Sequence, residues 1–339
     1  MTVPTEVSVR QQAERTADEL FSLIKEDLAE VEREFTRHVS SHVQIVAEIG
    51  RYLQDGGGKR VRPALLLLAS KLWGQPTTAH IIRMAVVVEF IHTATLVHDD
   101  IIDGADTRRG RPSVNARWGN QITVLMGDWL YMMAFELALG ERNFRILDIL
   151  TRLTREMTEG ELIQLTHIGN VRITRPEYFD IVRRKTAYLF SACTEIGGLL
   201  GGASEAEQQR LRNYGLNLGI AFQVIDDILD FTSTDHVLGK PAGNDLREGK
   251  VTLPLIYLVE MGDTRTIEMI ESVIADGDYC RVTRADLVSI LESRGAIERA
   301  RAEAREYAQR ACECLDGLAA SPYRDVLYSL ARFIVERRN

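Results

Sequence analysis

The chain has 339 residues, 45% of them hydrophobic and 27% charged, an ordinary globular composition that excludes a disordered or low-complexity protein. Its formal net charge of −8 argues against a nucleic-acid binder, which needs a concentrated basic face, so an anionic ligand must be met by local basic residues or metal ions. Cys193, Cys280, Cys312 and Cys314 form no CxxC pair and no zinc-finger spacing, which points to free thiols in a reducing cytosol and a cytoplasmic protein.

The N-terminal stretch MTVPTEVSVRQQAERTADEL has neither a basic n-region nor an apolar core, so no signal peptide is expected, and residues 1–12 read as a polar, mobile tail. Leu20, Ile24, Leu28 and Val31 then recur at helical spacing and predict an amphipathic helix over 17–35. The same period predicts helices at 63–73, 79–102, 120–139, 144–167, 177–199, 205–231, 250–261 and 286–315. No apolar stretch is expected to reach the ~20 residues of a membrane span, because Arg83, Glu89 and His92 interrupt 81–97. Thr174 and Glu177, with Pro176 between them, form a capping box that opens the helix after the break GNVRITRP. Other breaks fall at DGGGKR, DGADTRRGRPS, GGAS and TSTDHVLGKPAGND, and strand-like alternation is nearly absent. Length alone favours two domains at ~150 residues each. No linker or repeat divides the chain, however, so the expectation is one all-α domain over 1–339. Helices apolar on several faces, such as MAVVVEFIHTATLV, belong at the centre of a large bundle of about ten or more helices around a central cavity. Gly215 and Gly219, one turn apart, would let a backbone or ligand come close.

The chemistry starts at LVHDDIIDGADTRRGR. Asp99 and Asp103 stand at i and i+4 on one helix face, about 6 Å apart along the axis, where like charges repel. Alone, this cluster with Arg108, Arg109 and Arg111 could be a solvated acidic turn. FQVIDDILDF repeats the spacing with Asp226, Asp227 and Asp230, again at the end of an apolar helix and before a polar loop. Facing each other across a bundle, the two clusters would offer hard oxygen ligands on opposite walls, which suits Mg²⁺ shared with substrate phosphates. Basic residues surround them: Lys59, Arg60 and Arg62 in GGGKRVRP, Arg108 and Arg109, Lys185 with Thr186 in RRKTAYLF, and Lys240. GGGKR lacks the Walker A spacing. His92 lies two turns before Asp99 on its face, and both a substrate contact and a hydrogen-bonded core histidine remain open. His98–Asp99 would suit an HD metal phosphohydrolase, but the remaining histidines lack suitable neighbours.

GGGKRVRP, LVHDDIIDGADTRRGRP, EGELIQL (159–165), RRKTAYLF, and FQVIDDILDF through GKPAGNDLREGKVTLPLIY resemble, in order, the motifs of the trans-polyprenyl diphosphate synthases. The likeness covers residues 40–260, and the C-terminal helices carry no motif. It implies the isoprenoid synthase fold and a prenyltransferase that adds isopentenyl diphosphate to an allylic diphosphate by ionisation, condensation and elimination. By that resemblance Asp99 and Asp103 bind two Mg²⁺ ions and Asp226 a third, with Asp227 and Asp230 supporting and Mn²⁺ able to substitute. Arg108, Lys185, Thr186, Gln223 and Lys240 would hold the allylic diphosphate, Lys185 and Lys240 joining the three metal aspartates in catalysis. Lys59, Arg62, His92 and Arg109 would hold isopentenyl diphosphate, and the enzyme would be a homodimer. Product length would depend on the position five residues before the first aspartate, here Ala94, with Thr95 beside it and Ile91 one turn deeper. These leave the tunnel open, with Trp129, Met132, Met133 and Phe135 as candidate floor residues, so an octaprenyl-like product is expected and a farnesyl or geranylgeranyl one is the alternative. A terpene cyclase would not need the second aspartate cluster, and a non-catalytic partner subunit would have lost charged positions that are all present here.

Overall fold

The computed structural model describes residues 17–233 and 242–337. Lys240 and the tail expected at 1–12 lie outside the described residues. Apart from its connecting loops the described chain is helical, with one short antiparallel hairpin, β1 (Thr107–Arg108) paired with β2 (Arg111–Pro112).

The first expected helix breaks into a turn at Ala17–Leu20, a 3₁₀ turn at Ser22–Ile24 and α1 (Lys25–Val39). There follow α2 (Gln44–Asp55), α3 (Val61–Ser70), α4 (Ala79–Ile102), α5 (Asn120–Gly140) and α6 (Phe144–Thr166). The capping box at Thr174 and Glu177 is present and opens α7 (Arg175–Val182), which passes through a π-helical turn at Arg183–Ala187 into α8 (Tyr188–Gly201). A second capping box, Ser204 with Glu207, opens α9 (Glu205–Thr232). The C-terminal part holds α10 (Leu253–Glu260), α11 (Thr264–Asp276), α12 (Arg284–Ser293), α13 (Ala296–Leu315) and α14 (Pro322–Glu336). The helix expected over 286–315 is thus two, divided at Gly295, and α2, α11 and α14 stand where no helix was expected.

The core explains the order. α4 carries buried residues on all sides, from Ile81 through Val86, Val87, Val88, Phe90 and Ile91 to Val97, and packs against α5, α3, α1 and α8. Contrary to the expectation from sequence, α4 and α5 are both long and apolar enough to cross a membrane. For α4 the reason is its central place in the bundle, where most of its apolar span is buried. α5 instead leaves apolar side chains outside, Leu125 at 67% and Met132 at 63% exposure. On the other side α9 packs against α8 and α13. A Cβ at Gly219 would come within 2.6 Å of Ala187 Cα, so the glycines of α9 let it cross the start of α8 backbone to backbone. The C-terminal ends of α4 and α9 open at the same end of the bundle, where Lys250 reaches Asp103 and the Asp245 N–H reaches Asp230.

Gly219→Ala should therefore destabilise the protein by about 1–3 kcal/mol, because overpacking at the crossing outweighs alanine's better helix propensity. Urea unfolding measures this, and an unchanged or raised midpoint would contradict the close crossing.

Candidate active site

The last turn of α4 divides its aspartates. Asp99 and Asp103 are half-buried at the cleft, whereas Asp100 is buried and turned away. Asp100 Oδ1 accepts a hydrogen bond from Arg108 Nε at 2.5 Å, so the middle carboxylate anchors an arginine. Between β1 and β2 the backbone turns through the left-handed region at Arg109 (φ 53°), which throws this side chain the opposite way. Its Nη1 donates to the carbonyl of Gly57 in the glycine loop. Arg108 and Arg109, adjacent in sequence, thus serve different corners.

Two lysines face the first aspartates. Lys250 Nζ lies 2.9 Å from Asp103 Oδ1 and 2.7 Å from Glu248 Oε2, and the pair of carboxylates pushes its pKa upward against the opposing effect of burial. Lys185 Nζ lies 2.5 Å from Glu161 Oε2. The π turn adds a residue to the helix at this point, so that Lys185 and Thr186 both serve the cleft while Arg184 pairs outward with Asp180, Glu156 and Glu159. Burial pushes the Asp99 carboxyl up to about 6, with Lys185 acting in the opposite direction and the charges of Glu161 and Asp103 adding to the rise.

The second wall belongs to α9. Asp226 Oδ1 lies 3.3 Å from Nη1 of Arg337, close to the end of the chain. Asp227 is buried, accepting from Tyr178 Oη at 2.6 Å and from Gln223 Nε2 at 2.7 Å, and burial pushes it up to about 8. Gln223 in turn accepts from Thr186 Oγ1 at 2.8 Å, so Thr186, Gln223, Asp227 and Tyr178 form one chain of hydrogen bonds. Asp230, 1% exposed, accepts the Asp245 N–H at 3.2 Å. Of this triplet Asp226 keeps the most exposure to the cleft.

The third corner gathers the expected isopentenyl diphosphate residues. Arg62 Nη1 stands 3.0 Å from His92 Nε2, with its guanidinium 5.1 Å from the Phe190 ring centre. Burial, and then the Arg62 charge, hold the His92 pKa well below its ordinary value, so the ring is neutral and Nε2 accepts. Lys59 is exposed at the edge, its pKa lowered by burial and by Arg337 and raised by Asp226. The residues assigned to product length lie along α4 and α5: Ala94 and Ile91 are fully buried, Thr95 and Phe135 half-buried.

Lys250, Glu161, Tyr178 and Arg337 were not singled out from the sequence. Lys250 ends DLREGK and Glu161 stands in EGELIQL, both inside motif stretches, whereas nothing in the sequence marks Arg337. Among the described residues no three His, Cys, Asp or Glu side chains stand close enough to hold a metal ion. The donor set nevertheless fits a divalent cation. Asp99, Asp103 and Asp226 are hard oxygen donors, and all three keep some exposure where Asp100, Asp227 and Asp230 are buried.

The family model described as "Polyprenyl synthetase" matches residues 43–291. The chain belongs to that family. Octaprenyl diphosphate synthase of Escherichia coli (strain K12) is 36% identical over 320 residues, 94% of this chain and 98% of that enzyme. Geranylgeranyl diphosphate synthase of Methanosarcina mazei is also 36% identical, over 85% of this chain and 88% of its own. The crystal structure of polyprenyl synthase from Caulobacter crescentus CB15, complexed with calcium and isoprenyl diphosphate, superposes with a TM-score of 0.91. It shares 38% identity and covers 96% of this chain and 98% of its own. The chain is accordingly a prenyltransferase of the polyprenyl diphosphate synthase type, all-α as its sequence implied.

The neutral His92 gives a pH prediction. Its folded pKa lies below the ordinary 6.5, so the unfolded chain binds the extra proton first and this contribution to stability is lost as pH falls below 6.5. NMR titration should find the His92 ring still neutral at about pH 6, where an ordinary histidine is mostly protonated. A midpoint at or above 6.5 would contradict the Arg62–His92 geometry.

Proposed function

We propose that this enzyme condenses isopentenyl diphosphate with an allylic prenyl diphosphate, repeatedly, to give an all-trans polyprenyl diphosphate of octaprenyl-like length. The observation that supports this reading is that two aspartate-bearing helix ends at the same end of the bundle are each paired with a cation from another element: Asp103 with Lys250 and Asp226 with Arg337. Asp99, Asp103 and Asp226 would hold Mg²⁺, three ions in all, and Asp227 and Asp230 would fix the end of α9 through their protein hydrogen bonds. When bound, Mg²⁺ would draw charge from the diphosphate leaving group and ease its ionisation.

The chain's own residues do the rest. Arg108, Lys185 and Lys250 present cations to the departing diphosphate, as Lys240 would, while Thr186 and Gln223 fix the direction of the second wall. The apolar helices exclude water from the allylic cation. Lys59, Arg62, neutral His92 and Arg109 hold the second diphosphate so that its alkene meets the cation. The released diphosphate would take the proton. A terpene cyclase would have no use for the Lys59–Arg62–His92 corner.

An octaprenyl-like product is supported by the small and medium side chains at Ala94 and Ile91 and by the likeness to an octaprenyl synthase. The same 36% identity, over a shorter 85% of this chain, to a geranylgeranyl synthase is what supports the shorter alternative. We also infer a homodimer that covers the outer face of α5 and α6, where Leu125, Met132 and Leu162 are more than half exposed. The unpaired cysteines favour a cytoplasmic enzyme.

Purified protein given both diphosphates should release inorganic diphosphate only with Mg²⁺. Asp103→Ala should lower turnover by about 10³-fold or more while leaving helical circular dichroism intact. Turnover within tenfold of the parent would remove the metal assignment. Ala94→Phe should shorten the product to farnesyl or geranylgeranyl length without abolishing catalysis, and an unchanged product would mean that Ala94 does not line the tunnel.

A further inference from the structure

The isopentenyl diphosphate corner gathers several positive charges, which the motif aspartates reach only singly, Asp100 through Arg108 and Asp226 through Lys59 and Arg62. Arg60, Arg62, Arg108 and Arg109 act on one another or on His92, and burial lowers the pKa of Arg62 and Arg109 further. One cavity is lined by Arg60, Glu89, His92, Arg108 and Arg109 together. Glu89 is the carboxylate common to the group: its charge acts on Arg60, Arg62 and Arg109 alike. It stands on α4, one turn before His92, with a side chain only 6% exposed.

The contact it makes is specific. Arg60 Nη1 donates to Glu89 Oε1 at 2.8 Å, while Nε and Nη2 of the same guanidinium turn to Glu32 on α1. Arg60 therefore forks between two helices. Its backbone sits in the left-handed region (φ 46°), a conformation that a non-glycine residue keeps only where its surroundings hold it. Lys59 precedes it and Arg62 follows it across the start of α3, so the backbone of Arg60 sets the angle between these two cations.

We propose that Glu89 is a positioning residue: through its ion pair with Arg60 it fixes the loop conformation that aims Lys59 and Arg62 at the second diphosphate. The inference rests on the reading of this corner as the isopentenyl diphosphate site. In this role Glu89 acts through Arg60 rather than on the substrate, and its carboxylate balances the guanidinium charge before any diphosphate arrives. An isosteric amide at this position keeps the volume and an acceptor but loses the charge that holds the fork.

Steady-state kinetics with each substrate varied, on Glu89→Gln, Arg60→Lys, the double variant and Arg62→Ala, tests this. Arg60→Lys keeps the charge but cannot span Glu32 and Glu89, and it serves in place of Glu89→Gln if the latter does not fold. Each single change should raise KM for isopentenyl diphosphate about tenfold, with kcat and the allylic KM within about twofold of the parent. The double variant should be no worse than either single one, because both break the same contact. Where Arg62→Ala raises the KM for isopentenyl diphosphate, a Glu89→Gln value within twofold of the parent, or an equal rise in both KM values, would overturn the proposal. Arg62→Ala separates the two readings. If it raises the allylic KM instead, the subsite assignment is wrong, and the positioning role stands only if Glu89→Gln raises that same KM.

Discussion

The structure depends on one electrostatic constraint: carboxylates are placed at the wrong ends of two helices. The C-terminus of a helix carries the negative end of its dipole, so aspartates there are disfavoured by about 0.3–1 kcal/mol each even when exposed. α4 and α9 both end on aspartate triplets, and neither has a basic residue in its last turn. The compensating charge has to come from elsewhere in the chain, and it does, from Lys250, Arg108 and Arg337. Cations supplied across a cleft, unlike cations within the same helix, can yield to an incoming ion. Asp100, Asp227 and Asp230 show the other solution, in which a buried carboxylate is hydrogen-bonded by protein donors. Each triplet thus divides into carboxylates that hold the scaffold and carboxylates that face the cleft.

The opposite imbalance at the neighbouring corner is handled by backbone conformation. Arg60 and Arg109 are both non-glycine residues with positive φ, and they converge on the same glycine loop. Arg109 donates to the Gly57 carbonyl, and Arg60 is clamped between α1 and α4. Strain of this kind persists only where packing and ion pairs over-determine it, and here it joins two cation-bearing loops to the core of the bundle. Acidic and basic corners meet where Lys59 and Arg337 come near Asp226.

Much of this was legible in the sequence, for physical reasons that can be named. The limits 79–102 for α4 match the structure because Thr78 caps one end and the polar loop after Asp103 closes the other. The repeated aspartate spacing pointed to two matching helix ends because a pattern of i and i+4 has meaning only on a helix. α2 escaped notice because Gly50 interrupts its pattern, yet that glycine lies where α2 presses on Val39, whose Cβ a side chain would meet at 2.7 Å. The π turn at Arg183–Ala187 leaves no trace in hydrophobic period, since one added residue shifts the face without changing composition. Lys250 and Arg337 depend on contacts spanning more than a hundred residues, which local pattern cannot reveal.

The most direct test is a crystal structure of the full chain with Mg²⁺ and a thiolo analogue of an allylic diphosphate that cannot ionise. The account predicts metal ions bound by Asp99, Asp103 and Asp226, with the Asp103–Lys250 and Asp226–Arg337 contacts broken and Lys250 turned to the diphosphate. Asp227 and Asp230 should keep their protein partners. Metal ions bound elsewhere, or both cross-cleft ion pairs intact beside a bound diphosphate, would contradict it.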